Sequence, residues 1–378
     1  MGGIRQKKPL PPLPSVDGQA WLEIDTNALA GNAAKLRSML PPGCELMAVV
    51  KANAYGHGDA EVAKRLQQEG VTSFAVVSVL EGVRLRQNNL SGSILVLGYT
   101  HPMDAAFLNQ YNLSQAVVDA NHASELEKTG HKISIHIAVD TGLHRLGVKH
   151  NEILEIESIF ACKNLKVEGI ASHFASPDSV KPHDVEFTNR QISSFIDTIN
   201  ALTSKGCDVG KRHIMASYGL KNYPESTFDY ARIGIALYGT NKAFGLTPVM
   251  SVRARVARVV EISKGDSVSY GRRFTANRPT KIATICIGYS AGIPRQISEK
   301  NGEIIIHGKK APIVGTVCMD MLMADVTDVG EIKQGDIATI IGKDGNETIR
   351  CEEYADKCGT ISHEILCGLG ANLPRIVM

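Results

Sequence analysis

The stretch MAVVKANAYGHG, residues 47–58, ends an apolar run on a single lysine and then opens into small residues, a tyrosine and a histidine. Read with the preceding residues as CELMAVV, the run is short, uncharged at its end and rich in valine, the pattern of a strand buried on both faces. Lys51 therefore stands at the mouth of a buried strand, and the small residues behind it read as a loop that leaves space beside it.

Working outward, runs of the same kind recur: SFAVVSV, SILVLGY, SQAVVD, ISIHIAV, VEGIAS, RHIMAS and FDYARIGI. Helical periodicity separates them. DAEVAKRLQQEG places Val62, Ala63 and Leu66 on one face and stops at Gly70; VEFTNRQISSFIDTINALTSKG groups Ile192, Phe195, Ile196, Ile199 and Leu202 and stops at Gly206. Upstream, AWLEID precedes Thr26, read as the N-cap of a helix with Leu29, Leu36 and Leu40 on its apolar face. About eight strands alternating with helices over about 220 residues suit a (β/α)8 barrel better than an open doubly wound sheet, which would show a G-x-G-x-x-G turn after its first strand.

Past residue 243 the texture changes to VMSVRARVARVVEI, KIATICIG, GEIIIHG, APIVGTVCMD and GDIATIIG, strands punctuated by glycine with little helix until about residue 352. The expected fold class is α/β: a (β/α)8 TIM barrel over residues 19–243, then a C-terminal β-rich domain over 244–378. Residues 1–18, basic and proline-rich, are expected to form a tail or a linker to something upstream.

Composition narrows the partners. The 378 residues carry 41 Lys+Arg against 39 Asp+Glu, a formal net charge of +2, which makes no electrostatic case for nucleic acid. Eight cysteines with no Cys-x-x-Cys pair read as reduced thiols, and no metal site is expected. The amino terminus turns to proline where a signal peptide needs an apolar stretch, and no uncharged run approaches a membrane span. The expected location is cytoplasmic, as a free protein or as the cytoplasmic domain of a longer membrane protein, with a small molecule and a second copy of the chain as partners.

Barrel enzymes carry their chemistry at the C-terminal ends of the strands. Here those ends supply Lys51, Tyr55 and His57 after strand one, Asp140 and Arg145 in DTGLHRLG after strand five, and His173 after strand six. Ser217 ends strand seven; Arg232, Gly234 and Ile235 end strand eight. Loops seven and eight are the usual phosphate site. A partly desolvated lysine near such a site suits a pyridoxal phosphate enzyme, whose lysine must condense with the cofactor aldehyde.

LMAVVKANAYGHG resembles the cofactor-lysine signature of the alanine racemase family, and the likeness continues through AWLEIDTNAL, VDTGLHRLG, SHFAS, YARIGIALYG, VSYGRRF, IGYSAGIPR and VGTVCMDMLMADVT. The resemblance implies a pyridoxal 5′-phosphate barrel with a β-domain, a homodimer with shared active sites, and a racemase that supplies D-amino acids for cell-wall precursors. It implies Lys51 and the partner's Tyr270 as two bases on opposite faces of the substrate. It implies Arg232 at the pyridine nitrogen, His173 beside it, and Tyr55, Ser217, Gly234 and Ile235 around the phosphate. Arg145, the gate residue Tyr289, the backbone N–H of Met319 and His363 would meet the substrate; Asp320 would support the loop of Met319, and His57 would be structural.

The chain also departs from that pattern. Ala138 stands where most members carry a carbamylated lysine that holds the arginine equivalent to Arg145. HIMASYGLKNYP, Ile233 and GYSAG are similar to the serine racemase domains attached to membrane segments in vancomycin-resistant bacteria. His363, in TISHEIL, replaces a tyrosine that borders the substrate side chain. Two rival readings stay open: another pyridoxal phosphate barrel enzyme such as an amino-acid decarboxylase, and a non-catalytic pyridoxal phosphate-binding barrel, which would have no use for the β-domain.

Overall fold

A computed structural model of the protein describes residues 18–240 and 244–378. Of the expected tail or linker over residues 1–18, all but residue 18 therefore lies outside the described residues. Two compact units are present, and neither is contiguous in sequence. Among the described residues, one comprises 24–240, 244–250, 350–371 and 377–378; the other comprises 18–23, 251–349 and 372–376. The helices after residue 350 thus pack with the barrel rather than with the strands that precede them.

In chain order the strands up to residue 233 are β1 (Ala20–Ile24), β2 (Glu45–Val49), β3 (Ser73–Val76), β4 (Ser93–Val96), β5 (Ser114–Val117), β6 (Ile133–Asp140), the two-residue β7 (Val148–Lys149), β8 (Leu165–Ala171), β9 (Lys211–His213) and β10 (Tyr230–Ile233). The helices between them are α1 (Thr26–Ser38), the single turn α2 (Lys51–Tyr55), α3 (Asp59–Gln68), α4 (Val79–Gln87), α5 (Ala105–Gln110), α6 (Ala120–Lys128), α7 (Ile153–Phe160), α8 (Pro182–Ser204) and α9 (Gly219–Asn222). Strand order β10-β2-β3-β4-β5-β6-β8-β9 is parallel throughout, and a bridge between Ala216 and Arg232 joins its two ends. This is the expected (β/α)8 barrel. Its core follows from the apolar runs: Met47, Ala48, Phe74, Ala75, Ile94, Ile135, Ile137, Ile170, Ile214, Ala231 and Ile233 are buried.

Two local expectations are corrected. Asp25, not Thr26, caps α1, its carboxylate accepting the N–H of Asn27 and of Ala28 at 2.9 and 2.8 Å; Thr26 is already helical. A carboxylate at the cap position satisfies two of the orphan amides at once. In α8 the buried stripe runs through Thr188, Gln191, Phe195, Thr198, Ile199 and Leu202, whereas Ile196 is exposed, because buried hydroxyls and an amide there find partners.

The second unit is an antiparallel sheet built from β11 (Met250–Ile262), β14 (Thr280–Ile285), β15 (Glu303–Ile306), β16 (Lys309–Val314), β17 (Leu322–Asp325), β18 (Ile337–Asp344) and β19 (Glu347–Ile349), joined at one edge by β1 and β20 (Arg375–Val377). A separate ribbon pairs β12 (Ser267–Val268) with β13 (Phe274–Thr275). Alternation in β11 buries Met250, Val252, Ala254 and Val256 and turns the arginines between them outward. The remaining helices, α10 (Cys351–Cys358) and α11 (Ser362–Asn372), follow β19. No helix among the described residues is long and apolar enough to cross a membrane.

Candidate active site

The residues expected at the site fall into two groups, one in each unit. In the barrel unit Lys51 follows directly on β2, and the small residues behind it do not form the expected open loop. Ala52, Asn53, Ala54 and Tyr55 all lie at φ between 52° and 54°, one turn of left-handed helix. Non-glycine residues pay on the order of 1–2 kcal/mol each for this conformation, so the surroundings must over-determine it. They do. The N–H of Ala54 donates to Val50 O at 2.8 Å and that of Gly58 to Asn53 O at 2.9 Å; the Asn53 side chain accepts the N–H of Asp59 at 2.9 Å. His57 is wholly buried, its Nδ1 lies 2.9 Å from Ala54 O, and its ring stacks on Tyr238 at 4.3 Å. Helix α11 closes the turn from the other side, since a Cβ on Gly56 would meet Leu366 O at 2.4 Å.

The consequence is a fixed spacing between Lys51 and Tyr55. Burial, then the Arg145 guanidinium, hold the Lys51 amine below the ordinary lysine value, with Glu81 acting the other way. Burial pushes the Tyr55 phenol well up, so it is a hydrogen-bond donor. Its hydroxyl lies against the backbone of Gly234. There Ser217 Oγ accepts the N–H of Gly234 at 3.1 Å and of Ala236 at 3.3 Å. Tyr55, Ser217, Gly234 and Ile235 therefore converge on one cradle of hydroxyls and backbone amides at the end of β10.

Beside it Arg232 is 5% exposed, and its side chain hydrogen-bonds through Nη1 and Nη2: to Ser172 O at 2.6 Å, His213 O at 3.0 Å and Ile214 O at 3.2 Å, and to the ring nitrogens of His173 and His213. None uses its Nε–H. Both imidazoles accept from the guanidinium through Nδ1, and His213 donates its Nε2–H to His136 Nδ1 at 2.8 Å. Burial and the Arg232 charge depress all three: His136 to about 4, His173 to about 3 and His213 well below the ordinary value. Two neutral histidines thus hold one buried cation, a third backs His213, and among the described residues no carboxylate hydrogen-bonds it.

Arg145 is exposed, and its charge reaches Lys51, His173 and Arg232. No lysine is needed to set its loop. Asp140 accepts the N–H of Gly142 at 2.9 Å and of His144 at 3.0 Å, and its other oxygen pairs with the His144 ring at 2.8 Å. On α11, His363 and Cys367 are one turn apart; the His363 ring lies 5.7 Å from that of Tyr55, and its buried Nδ1 has no hydrogen-bond partner among the described residues.

In the strand-rich unit Tyr270, Tyr289 and Met319 are 71%, 42% and 54% exposed. Tyr270 sits on a strained turn: Ser269 adopts φ 66°, ψ −177°, a region essentially restricted to glycine. A pair of hydroxyls holds it there, Ser269 Oγ donating to Thr316 O at 2.6 Å and Thr316 Oγ1 to Tyr270 O at 2.8 Å. The N–H of Tyr289 donates to Cys318 O at 3.0 Å, and Ser290 Oγ donates to Asp320 at 2.8 Å, so all these residues gather on one rim.

Sequence reasoning missed His136, His213, Glu81 and Cys367. A histidine within an apolar strand carries no directional signal, and His136 and His213 meet only across 77 residues of chain. For Glu81 a signal existed, the Ser-x-x-Glu pattern of a capping box at residues 78–81.

A barrel whose first strand ends on a lysine facing an anion cradle and a buried arginine defines a class of cofactor-binding enzymes. Residues 24–242 match the family described as alanine racemase, N-terminal domain, and residues 249–377 the alanine racemase C-terminal domain; the chain belongs to the alanine racemase family. An amino-acid racemase of Enterococcus faecalis is 41% identical over 92% of this chain, which spans only 50% of that longer protein. An alanine racemase of Methanococcus maripaludis is 35% identical over 95% of this chain and 98% of its own. Among solved structures, alanine racemase of Bacillus anthracis with bound L-Ala-P shares 31% identity at a TM-score of 0.88, covering 95% of each chain. That of Clostridium difficile 630 shares 30% at 0.89, covering 95% and 96%.

The family depends on pyridoxal phosphate. The residues present fit that group: a lysine amine held below its ordinary value, a cradle at Gly234 with no room for a Cβ, and, among the described residues, a guanidinium with Nε–H unengaged and a buried, unpartnered His363 nitrogen.

Proposed function

We propose that the chain is a pyridoxal phosphate-dependent racemase that interconverts the enantiomers of alanine and serine, with D-amino acids for cell-wall precursors as its product. The observation that carries this reading is Arg232, held by carbonyls and neutral histidines. When bound, pyridoxal phosphate supplies an aldehyde for the lysine amine and an electron-accepting ring that acidifies the substrate Cα–H. Tyr55, Ser217, Gly234 and Ile235 would hold its phosphate. Arg232 would donate its Nε–H to the ring nitrogen and, as a guanidinium, would keep its proton. That arrangement favours returning a proton to Cα over moving it elsewhere.

Lys51 then takes or returns the Cα proton on one face. Tyr270 of a second copy does so on the other, which agrees with its exposure on a rigid turn. The family is typically dimeric. Arg145 and the N–H of Met319 would hold the substrate carboxylate, and Tyr289 would border the entrance. His363, polar where a tyrosine is usual, would admit the serine hydroxyl; an apolar pocket separates such isosteres by only roughly 100-fold. The name of the Enterococcus faecalis relative, amino-acid rather than alanine racemase, leans the same way.

Polarimetry on L-alanine and L-serine tests the reading. Loss of rotation with both is expected, and His363→Tyr should shift preference toward alanine. An unchanged ratio in the variant refutes the role of His363. A protein that binds cofactor but racemises neither substrate would refute the reading and leave the non-catalytic barrel or another pyridoxal phosphate barrel enzyme.

A further inference from the structure

We propose that Glu81 is a positioning residue for Lys51, bridging the ends of the first two barrel strands and fixing both the backbone and the charge environment of the lysine. Its Oε1 accepts the N–H of Ala52 at 2.8 Å, and its Oε2 accepts the N–H of Val77 at 2.7 Å. Ala52 is the peptide immediately after Lys51 and the first residue of the left-handed turn; Val77 is the first residue past β3. One carboxylate thus serves two amides that neither strand can satisfy.

The local pattern makes the arrangement specific. In a Ser-x-x-Glu box the serine accepts the N–H of the glutamate and the glutamate returns to the N–H of the serine. Ser78 does its half, accepting the N–H of Glu81 at 3.3 Å. The carboxylate instead turns away from its own N-cap, to the residue before it and to the end of the neighbouring strand. A helix cap has been diverted to the lysine.

Charge adds a second role. The titratable groups facing the Lys51 amine are Arg145 from the loop after β6, Arg232 on β10, His173 after β8, His363 and Cys367 on α11, and Glu81 on α4. Of these only Glu81 is a carboxylate. It therefore offsets the two guanidiniums and favours a protonated nitrogen at Lys51. The glutamate role rests on the reading of Lys51 as the cofactor lysine.

Glu81→Gln removes the charge and leaves one amide facing an NH2 group that cannot accept. In the holoenzyme, titration of the visible absorption band of the lysine-bound cofactor should show its transition displaced to lower pH, and cofactor release on dialysis should quicken by about tenfold, the loss of one charge-assisted hydrogen bond. Ser78→Ala is the structural control: it removes the cap of the same helix yet keeps the carboxylate, so its transition should stay at the wild-type pH even if its melting temperature falls. Should Glu81→Gln fail to fold, Glu81→Asp keeps the charge but is too short to reach both amides; faster release at an unshifted transition is then expected. A transition at the wild-type pH with wild-type release in Glu81→Gln, or wild-type release in Glu81→Asp, overturns the proposal. A wild-type protein with no such band refutes the cofactor-lysine reading itself, and the role of Glu81 with it.

Discussion

Tyr55 places its hydroxyl so close to Gly234 that a Cβ at residue 234 would stand 2.4 Å from the oxygen. The contact itself leaves no room for any side chain larger than hydrogen at this position. Tyr55 reaches it only because the left-handed turn carries the side chain back over the barrel mouth.

Gly234→Ala should accordingly lose cofactor while the protein stays folded. The oxygen must move by several tenths of an ångström out of the cradle, and Tyr55→Phe in the same chain should recover part of the binding by removing it. Equilibrium dialysis with pyridoxal phosphate, with circular dichroism as control, checks this. Wild-type affinity in Gly234→Ala would mean that the phosphate sits elsewhere.

Gly370 offers a cleaner test of what holds the turn. It lies in α11, where alanine is ordinarily better by about 0.5–1 kcal/mol. A Cβ there would stand 2.1 Å from Gly56 Cα. Gly370→Ala should therefore destabilise, by the ~1–3 kcal/mol typical of overpacking, and weaken cofactor binding in step. A stabilised variant in chemical denaturation would show that α11 does not clamp the turn.

For the two bases, Lys51→Ala should abolish the visible band of the lysine-bound cofactor. Tyr270→Phe should keep the band and nearly abolish racemisation, losing the 10²–10⁴-fold or so expected of a general acid–base group. Full activity in the tyrosine variant would sink the two-base scheme.

The histidines around Arg232 make a prediction about acid. Their folded values, about 4 for His136, about 3 for His173 and well below 6.5 for His213, lie under the unfolded value of 6.5. The unfolded chain therefore takes up protons first as pH falls. Their stabilising contribution is complete above pH 6.5 and is lost progressively down to about 4 and then about 3, at up to about 1.4 kcal/mol per pH unit for each histidine. Thermal melts of the full chain across this window should fall steeply, and a His136→Gln variant should fall less. Flat melting temperatures would show that these rings are protonated in the native state.

Much of the fold was legible because it rests on periodicity. Short apolar runs recurring between helical stretches read as buried parallel strands, and their ends name Lys51, Arg145, His173, Ser217 and Arg232. What escaped were contacts with no local signature. Thr26 and Asp25 are equally good caps by composition, and only the chain path decides between them. Nothing in Ala52–Asn53–Ala54 announces left-handed backbone; propensity alone argues against it. Glu81 did carry a recognisable pattern, which pointed to its own helix rather than to Lys51.

The amino-acid sequence by itself determined the barrel, the strand-rich unit and the identity of the residues at the strand ends, because side-chain hydrophobicity and its period are properties of the chain. Tertiary structure alone decided the left-handed turn, the histidine brace on Arg232 and the reach of Glu81 to Ala52. Each is a conformation or protonation state that is unfavourable in isolation and persists because distant segments, packed together, leave it no alternative.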